Sequence, residues 1–185
     1  MTLYDYIDAV EFATIAHDGQ RRKFGVKEPY VAHPIRVSKK VLQVTEDYSS
    51  WYEEKRLELA IAAVLHDVIE DTPVKAYAIA DSFGESVKTL VESVTKNTAL
   101  PKADKEMEFL LRYKSSPVET VIIKLADRLD NLQSMSEAPL DFQRKYLANT
   151  KQLLSAVPKK AENNPSVNAL EGPILRLIEE ITDGL

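Results

Sequence analysis

Apolar positions recur every three to four residues along almost the whole chain, and no long alternating run interrupts them. The pattern predicts helices throughout. Thr2 caps a first helix to about Ala16, with Leu3, Tyr6, Ile7, Val10, Phe12 and Ile15 as its apolar positions. Residues 17–33 read as a basic loop, and Pro34 starts a second helix. A long third helix runs from Trp51 to Glu70. Thr72-Pro73 closes it and opens a fourth, which stops at Gly84 before a fifth over about 85–95. A polar loop over 96–105 leads to a helix over about 104–113. Ser116-Pro117-Val118-Glu119 has the form of a capping box and opens a helix to about Ser134. Pro139 and Asp141 introduce a helix to about Val157, Pro158 to Pro165 form a polar break, and a last helix covers about 173–182.

This predicts an all-α fold, a single globular helical domain over 1–185. Its motif-bearing core spans about 3–157, and a helical extension spans about 158–185. A composition of 44% hydrophobic and 29% charged residues is that of an ordinary soluble domain. The net charge of −5 excludes a global basic field for extended nucleic acid, though not a local basic pocket for a small anion. The absence of cysteine excludes disulfides, a thiol nucleophile and cysteine-ligated zinc. No apolar run reaches the roughly 20 residues that span a bilayer. The N-terminal residues lack a signal-peptide core. The expectation is a cytoplasmic protein without a membrane partner; its oligomeric state is not legible.

The apolar run Ala62-Ala63-Val64-Leu65 is followed directly by His66-Asp67-Val68-Ile69-Glu70-Asp71. An imidazole and a carboxylate buried there are costly unless paired, and a divalent metal would pair with both. Glu70 lies four residues after His66 and Asp71 four after Asp67, so each pair shares a helix face. The bland alternative is a hydrogen-bonded core histidine beside a solvated acidic helix end. His33, before Pro34, sits on a restricted backbone that suits a ligand, although it could equally be a loop residue. His17, the third of three histidines, reads as a cap or packing residue. Asp127 falls mid-helix between apolar residues and needs a partner, either Arg128 or a metal, and Asn131 shares its face. His33, His66, Asp67 and Asp127 thus make a two-nitrogen, two-oxygen donor set suited to Mn²⁺, Fe²⁺ or Zn²⁺.

These residues are recognisable as an ordered set. The stretches are Ala16-His17-Asp18-Gly19-Gln20-Arg21-Arg22-Lys23, Pro29-Tyr30-Val31-Ala32-His33-Pro34, Leu65-His66-Asp67-Val68-Ile69-Glu70-Asp71-Thr72, Leu100-Pro101-Lys102 and Lys124-Leu125-Ala126-Asp127-Arg128-Leu129-Asp130-Asn131-Leu132. Together they resemble the HD-domain metal-dependent phosphohydrolases. More closely, they resemble the stand-alone (p)ppGpp hydrolases, the small alarmone hydrolases of the RelA/SpoT family. The link Phe24-Gly25-Val26-Lys27-Glu28 has the length of the stand-alone type, and 185 residues leave no room for synthetase or regulatory domains.

The resemblance implies that His33, His66, Asp67 and Asp127 hold Mn²⁺, and that Glu70 and Asp71 activate and position the attacking water. It implies Arg22 and Lys23 around the guanine base, Lys102 and Asn131 near phosphates and ribose, and Tyr146 with Arg144 in a later substrate-contacting segment. The implied reaction is hydrolysis of the 3′-pyrophosphate of ppGpp or pppGpp to GDP or GTP and pyrophosphate. Two rival readings remain open at this point. The same site could act on an adenosine alarmone, the 2′-phosphate of NADPH or a dNTP. Alternatively, the chain could be an antitoxin-type partner that neutralises an alarmone synthetase.

Overall fold

The computed structural model describes residues 1–24, 27–46 and 53–184, with the backbone alone at positions 102 and 103. Among the described residues there are nine helices and no strand, so the all-α expectation holds. They are α1 (Leu3–Ala16), α2 (Ala32–Val44), α3 (Glu53–Val64), α4 (Val68–Asp71), α5 (Ala76–Val94), α6 (Lys102–Tyr113), α7 (Val118–Gln133), α8 (Leu140–Ser155) and α9 (Pro165–Asp183). No described helix is long and apolar enough to cross a membrane.

Two helices form the centre. Every residue from Leu59 to Leu65 is fully buried, and α3 packs against α1, α2 and α5. In α7 every residue from Thr120 to Asp130 is buried, between α2, α5 and α9. A helix covered on all sides must be apolar or must pair each charge it carries. α7 carries Lys124, Asp127, Arg128 and Asp130 inside that cover. The fold therefore brings four charges into its core along one helix, and three of them, Lys124, Asp127 and Asp130, reach the site.

Several boundaries differ from the periodic reading. The third helix is not continuous to Glu70: α3 ends at Val64, and residues 65–67 form a turn before α4. (Its expected start at Trp51 lies outside the described residues.) The break has a local cause. His66 Nδ1 donates to the Ala63 carbonyl at 2.8 Å, which in an unbroken helix would take the Asp67 N–H. Val68 N–H instead reaches Leu65 O at 3.0 Å, and Asp67 takes φ −97°, ψ −6°.

Thr72 does not open the next helix. Its hydroxyl bonds back to Val68 O at 2.7 Å and accepts from Val74 N–H, and α5 starts at Ala76. Gly84, at φ 87° and ψ 162°, interrupts α5 where the sequence placed its stop. The capping box at Ser116 is absent: Ser116 Oγ donates to Arg112 O, and Pro117 stands at the N-cap. α6 begins two residues before the predicted start, at Lys102. α2 begins at Ala32, which puts His33 in its first turn instead of the preceding loop.

The largest difference is at the C-terminal end. α9 starts at Pro165, not near residue 173. Asn164 accepts from Ser166 N–H and Val167 N–H, and Pro165 fills the first helical position, where no N–H is needed. Ser166 Oγ bonds Val44 O at 2.7 Å and ties α9 to the end of α2. Pro173 lies inside the helix. Burial of Leu170, Ile174 and Ile178 holds the helix together past it.

α9 is thus part of the core. Ile174→Ala deletes a fully buried side chain and is expected to cost about 2–5 kcal/mol in urea unfolding. A loss below about 1 kcal/mol would show that α9 is peripheral.

Candidate active site

The break after α3 and the first turn of α2 point two imidazoles at one spot. The His33 and His66 rings are 5.3 Å apart at 74°. His33 Nδ1 lies 2.8 Å from Asp130 Oδ2, and His66 Nδ1 lies 2.8 Å from Ala63 O. A carboxylate and a carbonyl only accept, so each Nδ1 carries the proton. Each Nε2 therefore faces the other and the acids. His33 Nε2 is 3.2 Å from Asp127 Oδ1 and 3.7 Å from Asp67 Oδ2. His66 Nε2 is 3.1 Å from Asp67 Oδ2 and 3.7 Å from Asp127 Oδ1.

Donors around one ion at about 2.1 Å stand roughly 3.0–3.4 Å apart, close to this spacing. His66 Nε2 is buried and makes no hydrogen bond. A buried ring nitrogen left open among carboxylates fits a metal ligand, as does the mixed N/O donor chemistry. The four residues could hold a divalent cation, with His33, His66 and Asp127 donor atoms all within 4.8 Å of one another.

The electrostatics agree with that reading. Burial works against charge on His66, yet Asp67 and Asp127 outweigh it and push its pKa up to about 10. Burial also opposes ionisation of Asp67, but His66 holds it well below the usual carboxylate range. Burial does the same at Asp127, where Lys124 and the two imidazoles prevail. The two acids thus demand positive charge between them, which an imidazolium supplies when no ion does.

Around the four donors lies a ring of side chains that fixes them. Lys124 Nζ meets Asp127 Oδ2 at 2.8 Å, leaving Oδ1 for the imidazoles. Asn131 Nδ2 donates to Asp127 Oδ1, and Asn131 Oδ1 accepts from Arg22 at 2.7 Å. Arg22 also reaches Ser134 Oγ at 3.1 Å and lies over the Tyr30 ring. The Tyr30 hydroxyl stands between Asp67 Oδ2 at 2.7 Å and Asp71 Oδ2 at 3.0 Å. Burial and those two acids raise its pKa, so it remains a donor. Glu70 Oε2 accepts from Lys96 N–H at 3.0 Å, and Asp71 O accepts from Gln20.

A cleft of about 460 Å³ opens beside this ring, with Arg22, Lys23, Phe24, Tyr30, Asn131 and Tyr146 among its walls. Tyr146 stands 4.4 Å under the Arg128 guanidinium, and burial pushes its pKa up to about 12. Of the residues the sequence singled out, His33, His66, Asp67 and Asp127 converge. Asp71, Arg22, Lys23, Asn131 and Tyr146 line the cleft, and Glu70 is one turn of α4 from the donors.

Arg144 is exposed on α8, pairs with Asp141 at 3.9 Å, and is not part of the cleft wall. Lys102 opens α6, and its side chain lies outside what the structure describes. His17 is a packing residue, bonded to Gln20 and 4.8 Å from the Tyr30 ring. The sequence reading passed over Tyr30, Lys124 and Asp130 as site residues. The signal for Lys124 and Asp130 was present: both are charges in an otherwise apolar helical stretch.

The chain matches the HD domain family over residues 9–157. It is 34% identical over 146 residues to the bifunctional (p)ppGpp synthase/hydrolase SpoT of Escherichia coli, covering 76% of this chain and 19% of that protein. It therefore spans about a fifth of that relative's length. It is 32% identical over 130 residues to the guanosine-3′,5′-bis(diphosphate) 3′-pyrophosphohydrolase MESH1 of Danio rerio, covering 70% of this chain and 68% of that one. Among solved structures, a metazoan ortholog of SpoT described as hydrolysing ppGpp superposes with TM-score 0.78 at 26% identity, over 95% of this chain and 94% of that one. The match from α1 through α8 takes in every element of the donor cluster, and the chain belongs to the HD-domain family, homologous to SpoT and MESH1.

Proposed function

We propose that this protein is a metal-dependent (p)ppGpp 3′-pyrophosphohydrolase acting as one domain over 1–185. The observation that carries the reading is the convergence of two imidazole nitrogens and two carboxylate oxygens beside a cleft walled by cations and aromatics. The pyrophosphohydrolase activity named for MESH1 and the ppGpp hydrolysis named for the metazoan SpoT ortholog support the substrate.

His33, His66, Asp67 and Asp127 would hold the ion, Mn²⁺ in this reading. When bound, it supplies Lewis acidity at a phosphate oxygen and an acidified water. Glu70 and Asp71 orient that water and take its proton. The Tyr30 hydroxyl, with one proton to give, stands between Asp67 and Asp71 and links the two carboxylates. The lysine amide at Lys96 anchors one oxygen of Glu70 and fixes the plane of its carboxylate.

Attack on the phosphorus at the 3′ oxygen releases pyrophosphate and returns the 3′ hydroxyl, giving GDP from ppGpp and GTP from pppGpp. Arg22 and Lys23 serve the base end of the cleft, and Asn131 and Lys102 the ribose and phosphates. Tyr146 serves the outer wall, and Arg144, exposed on α8 outside that wall, is not assigned a substrate contact. A nucleotide held this way needs neither extended nucleic acid nor a membrane. The protein is a cytoplasmic enzyme in this reading.

Two measurements test it. The Mn²⁺-loaded protein is expected to convert ppGpp to GDP and pyrophosphate, and Asp67→Ala to lose that turnover. Absence of turnover with Mn²⁺ bound would exclude ppGpp and lead to adenosine alarmones, NADPH and dNTPs as the next substrates.

Glu70→Gln keeps the donor set. It is expected to lower kcat by about 10²–10⁴ while Mn²⁺ affinity stays near that of the parent. An unchanged kcat would remove Glu70 from the proton path. In cells producing an alarmone synthetase, loss of protection by Glu70→Gln marks catalytic neutralisation, whereas retained protection marks passive binding.

A further inference from the structure

The two imidazoles of the donor cluster are oriented by different means. His66 hands its Nδ1 proton to a backbone carbonyl, Ala63 O, which every residue at that position would offer. His33 hands its proton to a side chain, Asp130 Oδ2, contributed by α7 from 97 residues away. Asp130 is 2% exposed and three donors meet on it: it also accepts from Arg36 Nε at 3.0 Å and from Lys40 Nζ at 2.8 Å. Arg36 in turn pairs with Glu28 at 2.7 Å.

Two acids and two cations close this cluster on itself. It has no charge left over for a ligand of its own, so it is not a separate anion site. Its remaining member is the His33 ring, whose far nitrogen is the one that faces Asp67 and Asp127.

We infer that Asp130 is a positioning residue for the proposed metal centre, fixing His33 so that Nε2 and not Nδ1 faces the ion. The inference rests on the reading of His33, His66, Asp67 and Asp127 as ligands. Arg36 and Lys40 hold the carboxylate in place from the other side, one helical turn apart on α2, the helix that carries His33. The arrangement has the form of a carboxylate–histidine–metal relay, in which the outer acid fixes tautomer and ring orientation. Glu28 belongs to the segment leading out of the basic loop. The Glu28–Arg36 pair therefore also fastens that loop, and the cleft wall it forms, to the residue that aims His33.

A purely structural role for Asp130, knitting α2 to α7, would lower stability and leave metal binding alone. Titration calorimetry with Mn²⁺ separates the two. Asp130→Asn is expected to weaken Mn²⁺ binding by about 10–100-fold. Ser38→Ala on α2, the helix of His33, serves as the structural control, since it loses the buried bond from Ser38 Oγ to Ala60 O of α3. It is expected to lower the melting temperature of the metal-free protein and to leave Mn²⁺ affinity within threefold.

Asp130→Asn binding within threefold of the parent overturns the positioning role while leaving the metal site intact. Failure of the parent to bind Mn²⁺ overturns the site and the inference together. Should Asp130→Asn not fold, the unaltered Zn²⁺-loaded protein gives the answer by ¹H–¹⁵N NMR of the His33 ring. A protonated Nδ1 with Zn²⁺ on Nε2 supports the inference, and Zn²⁺ on Nδ1 overturns it.

Discussion

Two buried carboxylates side by side are the constraint on which the rest of this structure depends. Asp67 and Asp127 both approach the same pair of imidazole nitrogens within 3.7 Å. In a low-dielectric core such a pair cannot stay ionised without positive charge between them. A helical bundle offers few ways to supply it. The bundle here brings four side chains together, each held by hydrogen bonds from its surroundings, with His66 Nε2 left without one. Nearly every polar contact near the site serves that end: Lys124 on Asp127, Asp130 on His33, the Ala63 carbonyl on His66, and Tyr30 on Asp67.

The helix that bears most of this load is α7. It is buried on all sides and still carries four charged residues. Lys124 and Asp127 neutralise each other across one turn, Asp130 is met by two cations from α2, and Arg128 rests on the face of Tyr146. Such pairs add little net stability over apolar residues of the same size, because desolvation consumes most of the attraction. The apolar burial of α3 and the packing of α9 against α7 provide the stability instead. The core is thus divided in role: α3 and α9 contribute packing, and α7 spends part of it to hold charges where chemistry needs them.

Much of this was legible in the sequence. A 3.6-residue period without alternation predicts an all-α fold, and acids and histidines inserted in apolar runs mark where burial must be compensated. His66, Asp67 and Asp127 stand out for that reason. What the period could not show is where a side chain displaces a backbone bond. The turn at residues 65–67 exists because His66 takes the Ala63 carbonyl, and apolar spacing is blind to such a choice. The start expected near residue 173 erred in the opposite direction. Pro173 lies inside α9, where tertiary burial of Leu170 and Ile174 outweighs its missing N–H. Tyr30 was hidden because its partners lie 37 and 41 residues away, and Asp130, visible as a charge in an apolar stretch, has its histidine partner 97 residues away. Such pairings are properties of the fold, not of any local window.

The same distances explain how the cleft and the donor set are made one unit. Tyr30 touches Asp67 on the donor side and Asp71 on the open side, and Arg22 lies across its ring. Arg22 is itself bonded to Asn131, which is bonded to Asp127. A closed circuit therefore runs from Asp67 through Tyr30, Arg22 and Asn131 to Asp127, and both ends are donors. A group entering the cleft and pulling on Arg22 would disturb Asn131 and Tyr30 at once, and with them one oxygen on each carboxylate. Three side chains, Tyr30, Arg22 and Asn131, thus join the cleft wall to both carboxylates without an intervening helix.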